Sequence, residues 1–255
     1  MNIRILTDTV QIGDTVASII ASEIQTNPFC ILGLATGSTP LDTYRALVRM
    51  YKENKVDFAK VTTFNLDEYV GLPPEHQQSF AFFMKQNLFD HVNIKTENIH
   101  LFSGTANNPK EHCVQYDALI AKAGGIDIQL LGLGNNGHIA FNEPGEKFSE
   151  NSYVAELTQE TIEANQRFFK SIDDVPKRAF TMGIGMILKA RKIIMIASGI
   201  NKAQAIFQMI KGPVTPQCPA SILQTCRDIT VFLDEPTASY VENKFGSLND
   251  QITGD

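Results

Sequence analysis

Short apolar runs of β-like composition alternate with longer stretches of helical period along most of this chain, and that alternation limits the fold more than any other feature. It is the pattern of a parallel sheet covered by helices on both faces. Strand-like runs stand at 3–6, 30–34, 61–66, 99–102, 126–131, 192–197 and 229–233. Helical stretches begin at Asp14, Pro40, Ser79, Lys110, Asn201 and Pro219, most of them opened by a capping residue or a first-turn proline. The expected architecture is α/β: an open, mostly parallel, doubly wound sheet of Rossmann-like kind, with all 255 residues in one domain.

Two stretches break the pattern. Residues 144–176 are rich in Glu, Ser, Asn and Gln, with a short strand-like run at 153–157. A long insertion of this kind serves as a lid or binding loop, or as a solvated connection. The tail over 236–255 loses periodicity and is expected to be irregular.

Charge and cysteine content narrow the function classes. A net charge of −6, from 28 acidic and 22 basic side chains, supplies no polybasic footprint for nucleic acid or an anionic membrane. Any bound anion is therefore small and held locally. Cys30, Cys113, Cys218 and Cys226 form no C-x-x-C unit and have no clustered histidines, so they read as free thiols. The N-terminus has neither a basic leader nor a long apolar run, and no window is apolar for the length of a membrane span. A cytoplasmic protein is expected.

Ligands of an open parallel sheet bind beyond the carboxyl ends of its strands, and four of these ends carry chemistry. The second strand runs into Thr36-Gly37-Ser38-Thr39-Pro40, where a tight turn and a helix start can present N–H groups to an anion or simply cap the helix. The third runs into Asn65-Leu66-Asp67-Glu68-Tyr69, an adjacent carboxylate pair that could supply a base or lie in solvent. The sixth runs into Ser198-Gly199-Ile200-Asn201-Lys202, with Asn201 read as the N-cap. A lysine at the positive end of a helix is electrostatically misplaced unless an anion joins it or it points into water.

The fifth strand is followed by Gly132-Leu133-Gly134-Asn135-Asn136-Gly137, which spells the dinucleotide fingerprint, with Glu156 available as a ribose acid. The fingerprint needs a helix to open on the last glycine. Here His138, Asn142 and Glu143 follow, and Pro144 would interrupt such a helix within about two turns. A histidine with amide and carboxyl neighbours points instead to proton transfer with orienting groups. Two ends that could hold an anion and two that could move protons, on one sheet edge, describe acid–base chemistry on a phosphorylated substrate.

These residues resemble the glucosamine-6-phosphate deaminase family, which shares its fold with 6-phosphogluconolactonase. The likeness runs through Leu34-Ala35-Thr36-Gly37-Ser38-Thr39-Pro40, through Phe64-Asn65-Leu66-Asp67-Glu68-Tyr69-Val70-Gly71-Leu72, through Gly137-His138-Ile139-Ala140-Phe141-Asn142-Glu143-Pro144, and through the spacing to Lys202. It implies conversion of glucosamine 6-phosphate to fructose 6-phosphate and ammonia, without metal or organic cofactor. It assigns Asp67 to proton transfer between C2 and C1, His138 to ring opening, and Glu143 with Asn136 to orienting the imidazole. It assigns the phosphate to Gly37, Ser38, Thr39, Arg167 and Lys202. Arg167 rests on the resemblance alone.

Two departures stand out. Many relatives have an aspartate where this chain has Asn136, and an amide can orient an imidazole but adds no charge to stabilise its cation. Hexameric relatives activated by N-acetylglucosamine 6-phosphate have a Ser-Ser pair and an Arg-x-Lys where this chain has Glu146-Lys147 and Tyr153-Val154-Ala155. That allosteric site is expected to be absent, and the chain to be a monomer or a homo-oligomer. Galactosamine 6-phosphate as the substrate, or a sugar-phosphate sensor without turnover, are the competing readings.

Overall fold

The computed structural model describes residues 1–248, in the order β1 (Asn2–Leu6), α1 (Thr9–Thr26), β2 (Ile31–Leu34), α2 (Leu41–Lys52), β3 (Thr62–Asn65), β4 (Asp67–Tyr69), α3 (Phe80–Asn87), β5 (Ile99–His100), α4 (Pro109–Ala123) and β6 (Ile128–Gly132). There follow β7 (Tyr153–Glu156), α5 (Gln159–Asn165), β8 (Arg178–Thr181), α6 (Ile184–Leu188), β9 (Lys192–Ala197), α7 (Ala203–Lys211), β10 (Ile229–Asp234) and α8 (Glu235–Phe245).

The seven strand-like runs of the sequence all pair in one parallel sheet, ordered β1-β10-β9-β6-β2-β3-β5. Period-two alternation sends neighbouring residues of each strand to opposite faces. Ile193 and Met195 join the core under α4, α6, α7 and α8, whereas Ile194 and Ile196 join the one under α1, α2 and α3. Both faces are thus buried, as a parallel sheet requires. From the adjacent strands β2 and β6 the chain leaves toward opposite edges of the sheet, to β3 and to β9. This arrangement opens a crevice at their carboxyl ends.

Several expectations need correction. A second, antiparallel sheet, β4-β8-β7, was not foreseen. It arises because the chain leaves the main sheet at Leu66, whose N–H donates to Leu34 O while its own carbonyl accepts from Met182 N. The first helix begins at Thr9, not Asp14, because the Asp8 side chain caps it by accepting from Gln11 N. Asp14 pairs with Arg49 instead. The segment starting at Pro219 is a 3-10 helix over Pro219–Thr225. At the sixth strand end, Lys202 is the N-cap of α7, and Asn201 lies in a short 3-10 turn before it.

The tail is helical over Glu235–Phe245, capped by Asp234 and buried through Thr237, Ala238 and Val241; residues 249–255 of that expectation lie outside the described ones. The stretch 144–176 does leave the parallel sheet, placing β7 beside β8 and α5 over the crevice. All four cysteines are free, three of them buried. Among the described residues no helix is long and apolar enough to cross a membrane.

Candidate active site

A cavity of about 380 Å³ lies at the carboxyl ends of β2, β3 and β6, between them and α5. Gly37, Ser38, Thr39, Asp67, Asn136, His138, Arg167 and Lys202 all line it. Glu143 stands behind that wall, bonded to it through Asn136. The four strand ends singled out in the sequence therefore converge on one space. Glu156, the ribose acid of the dinucleotide reading, is exposed on β7 and does not line the cavity, and no helix opens on Gly137.

The turn after β6 is shaped around one imidazole. Gly134 N donates to His138 O at 2.9 Å and Gly137 N to Gly134 O at 3.1 Å. Gly137 has φ +87°, and a Cβ at Gly134 would lie 2.3 Å from the His138 ring. Gly134→Ala is thus expected to displace the imidazole and lower kcat by roughly a hundredfold with little change in melting temperature, as steady-state kinetics and thermal melts would register.

His138 Nδ1 lies 2.8 Å from Asn136 Oδ1, and Asn136 Nδ2 donates to Glu143 Oε2 at 2.9 Å. Glu143 Oε2 is itself 3.4 Å from His138 Nδ1. Asn136 spans the gap between imidazole and carboxylate, so the charge its amide lacks is supplied by Glu143 one bond further on. Burial pushes the Glu143 carboxyl up, but His138 and the donors Thr161 and Asn136 outweigh it and hold the group down at about 2.

The adjacent carboxylates of β4 have opposite surroundings. Glu68 accepts from Tyr69 N, Phe80 N and Ala81 N, so it is fixed at the start of α3 and serves the fold. Asp67 is 7% exposed and meets no hydrogen-bond donor among the described residues. Burial, then the Glu68 charge, push its carboxyl from 3.8 up to about 8. A raised proton affinity of this kind is what a general base requires.

The other end of the cavity suits an anion. Gly37 has φ +92°, and among the described residues no protein acceptor takes the N–H groups of Gly37, Ser38 or Thr39. Burial and then the Arg167 charge hold the Lys202 ammonium below its ordinary range. No carboxylate among the described residues pairs with either cation, and Arg167 rests over the Phe168 ring at 4.6 Å. Two cations lining one cavity with free N–H groups would be stabilised by a dianion.

Sequence reasoning missed Thr161, which lines the cavity from α5 and donates to Glu143 Oε1. The Thr158-x-x-Thr161 spacing marks a helix start, but nothing local in it points to a carboxylate 18 positions earlier.

Fold and cavity together define an α/β protein whose strand-end crevice gathers two unpaired cations, free N–H groups, an imidazole and a buried carboxylate. A family model described as glucosamine-6-phosphate isomerases/6-phosphogluconolactonase matches residues 9–232. A Clostridioides difficile (strain 630) protein named glucosamine-6-phosphate deaminase is 54% identical over 228 residues, covering 89% of this chain and 92% of the relative. One of the same name from Thermoanaerobacter sp. (strain X514) is 48% identical over 244 residues, 96% of each. A solved structure described as a monomeric glucosamine-6-phosphate deaminase superposes with a TM-score of 0.92 at 40% identity, covering 94% of this chain and 100% of that one. The chain belongs to the family of glucosamine-6-phosphate isomerases and 6-phosphogluconolactonases.

Proposed function

We propose that this chain isomerises and deaminates glucosamine 6-phosphate, giving fructose 6-phosphate and ammonia. The observation that carries the reading is an unpartnered buried carboxylate, Asp67, sharing one cavity with the His138 relay and a two-cation anion site. The names of the relatives at about half identity support the same substrate.

With the phosphate at Gly37, Ser38, Thr39, Arg167 and Lys202, the far end of the sugar lies by Asp67 and His138. His138 passes the anomeric hydroxyl proton to the ring oxygen, and the pyranose opens to the aldehyde. Its imidazolium is stabilised in transit by Glu143 through Asn136. Asp67 then takes the C2 proton, forming an enolamine, and returns a proton to C1. The resulting imine at C2 adds water and expels ammonia. Each step is a proton transfer or a hydrolysis, for which side chains suffice without metal or organic cofactor. Such a weakly acidic C–H needs a base that is close, in register and shielded from water, and the burial of Asp67 supports the last of these.

Glu146-Lys147 and Tyr153-Val154-Ala155 offer an effector phosphate one cation beside an acid, so we infer no activation by N-acetylglucosamine 6-phosphate. Rate curves are expected to be hyperbolic and unchanged by that effector. Sigmoidal curves that it straightens would contradict this.

Ammonia release tests the function, with glucosamine 6-phosphate run beside galactosamine 6-phosphate and 6-phosphogluconolactone. Release from the first alone is the expected result. No release from either amino sugar would sink the proposal.

A further inference from the structure

Helix α5 reaches the proton relay through one side chain. Thr161 is 4% exposed and sits in the first turn of the helix, whose N-cap is Thr158. Thr158 Oγ1 accepts from Thr161 N at 3.3 Å, and its hydroxyl donates to Thr161 Oγ1 at 3.1 Å. A hydroxyl carries one proton, so that of Thr161 is left for Glu143 Oε1, to which it donates. Asn136 Nδ2 holds the other carboxylate oxygen. The result is a directed chain in which Thr158 donates to Thr161 and Thr161 to Glu143, while Asn136 donates to Glu143 from the opposite side.

A carboxylate held at both oxygens cannot turn about its last torsion, and Oε2 therefore stays 3.4 Å from His138 Nδ1. With one oxygen released it can rotate, because only the Asn136 amide then fixes it. The contact also crosses the fold, because α5 continues directly into the 3-10 turn that carries Arg167. We propose that Thr161 is a positioning residue for ring opening: its hydroxyl locks the Glu143 carboxylate toward His138 and so ties the relay to the segment that grips the phosphate. This rests on the function proposed above.

Thr161→Val keeps the shape and removes the hydroxyl. It is expected to lower kcat on the order of tenfold or more with KM within about threefold, while Thr161→Ser stays near wild type. The acid limb of the kcat profile is expected to move to higher pH, because Glu143 loses a donor to its charged form and its carboxyl rises from about 2. The titratable groups that face Glu143 are His138 and, from β7, Tyr153. In a Glu143→Gln background the valine substitution is expected to cost nothing further. If Thr161→Val fails to fold, Thr161→Cys carries the same expectation through its weaker donor.

A kcat within twofold of wild type with an unmoved profile overturns the inference, and so do losses that multiply in the double variant. Absence of ammonia release by the wild-type enzyme would instead sink the function itself, so the two failures are told apart.

Discussion

Asp67→Asn is expected to abolish turnover while making the protein more stable. The two effects share one cause, a carboxylate buried in the cavity wall without a donor. In the unfolded chain Asp67 ionises near 3.8, whereas in the folded one it keeps its proton until about 8. Between those values the unfolded state binds fewer protons, so stability falls as pH rises through the window. An isosteric amide escapes that penalty. The gain is expected to be absent at pH 4 and to reach about 2–4 kcal/mol by pH 8, on the order of 5–10 °C in melting temperature. Activity is expected to fall at least a thousandfold, since an amide takes no proton from C2. Thermal melts across pH, with kinetics on the same samples, check both halves. A variant that is both active and no more stable contradicts the assignment.

The second carboxylate of the site carries the opposite linkage. Glu143 is held at about 2, below its ordinary 4.5, so its stabilising contribution is fully present above about pH 5 and is lost as pH falls through 2. Glu143→Gln is thus expected to destabilise by about 2 kcal/mol at pH 7 and by nearly nothing at pH 2. The new amide can also present a donor to the donor of Asn136. Without the charge that stabilises the His138 cation, kcat is expected to fall roughly a hundredfold with KM little changed. Equal melting temperatures for variant and wild type at pH 7 would show that the network does not hold Glu143 in its charged form. One site therefore pairs a carboxylate expected to weaken the fold, in the cavity wall, with one expected to strengthen it, behind that wall, and pH separates them.

The parallel sheet was legible because each of its strands is a compact β-like run between turn signals, and parallel strands buried on both faces leave that trace. The antiparallel sheet left none. Its strand β4 follows β3 after the single residue Leu66, so 61–69 looks like one run continuing into a loop, and β8 is four residues long. The α8 helix was signalled by Asp234-Glu235-Pro236-Thr237, a cap followed by a first-turn proline, but its buried face is too sparse to set a period.

Within the site, the strand ends were legible because topology places them on one edge whatever the details. The division between Asp67 and Glu68 was not. It depends on Phe80 N and Ala81 N, a dozen positions away, arriving to claim one carboxylate and leave the other. Thr161 is the same case in another element. Its role depends on how α5 docks, and local sequence does not encode docking.

The fate of the hydrogen on C2 tests the central claim most directly. Glucosamine 6-phosphate deuterated at C2 is supplied to the wild-type enzyme and to Asp67→Asn, and the label is followed by NMR. The wild type is expected to remove deuterium from C2 at the rate of ammonia release, several-fold more slowly than it removes hydrogen, while the variant binds the sugar and leaves the label in place. Removal of deuterium by Asp67→Asn at a rate near wild type would contradict the account.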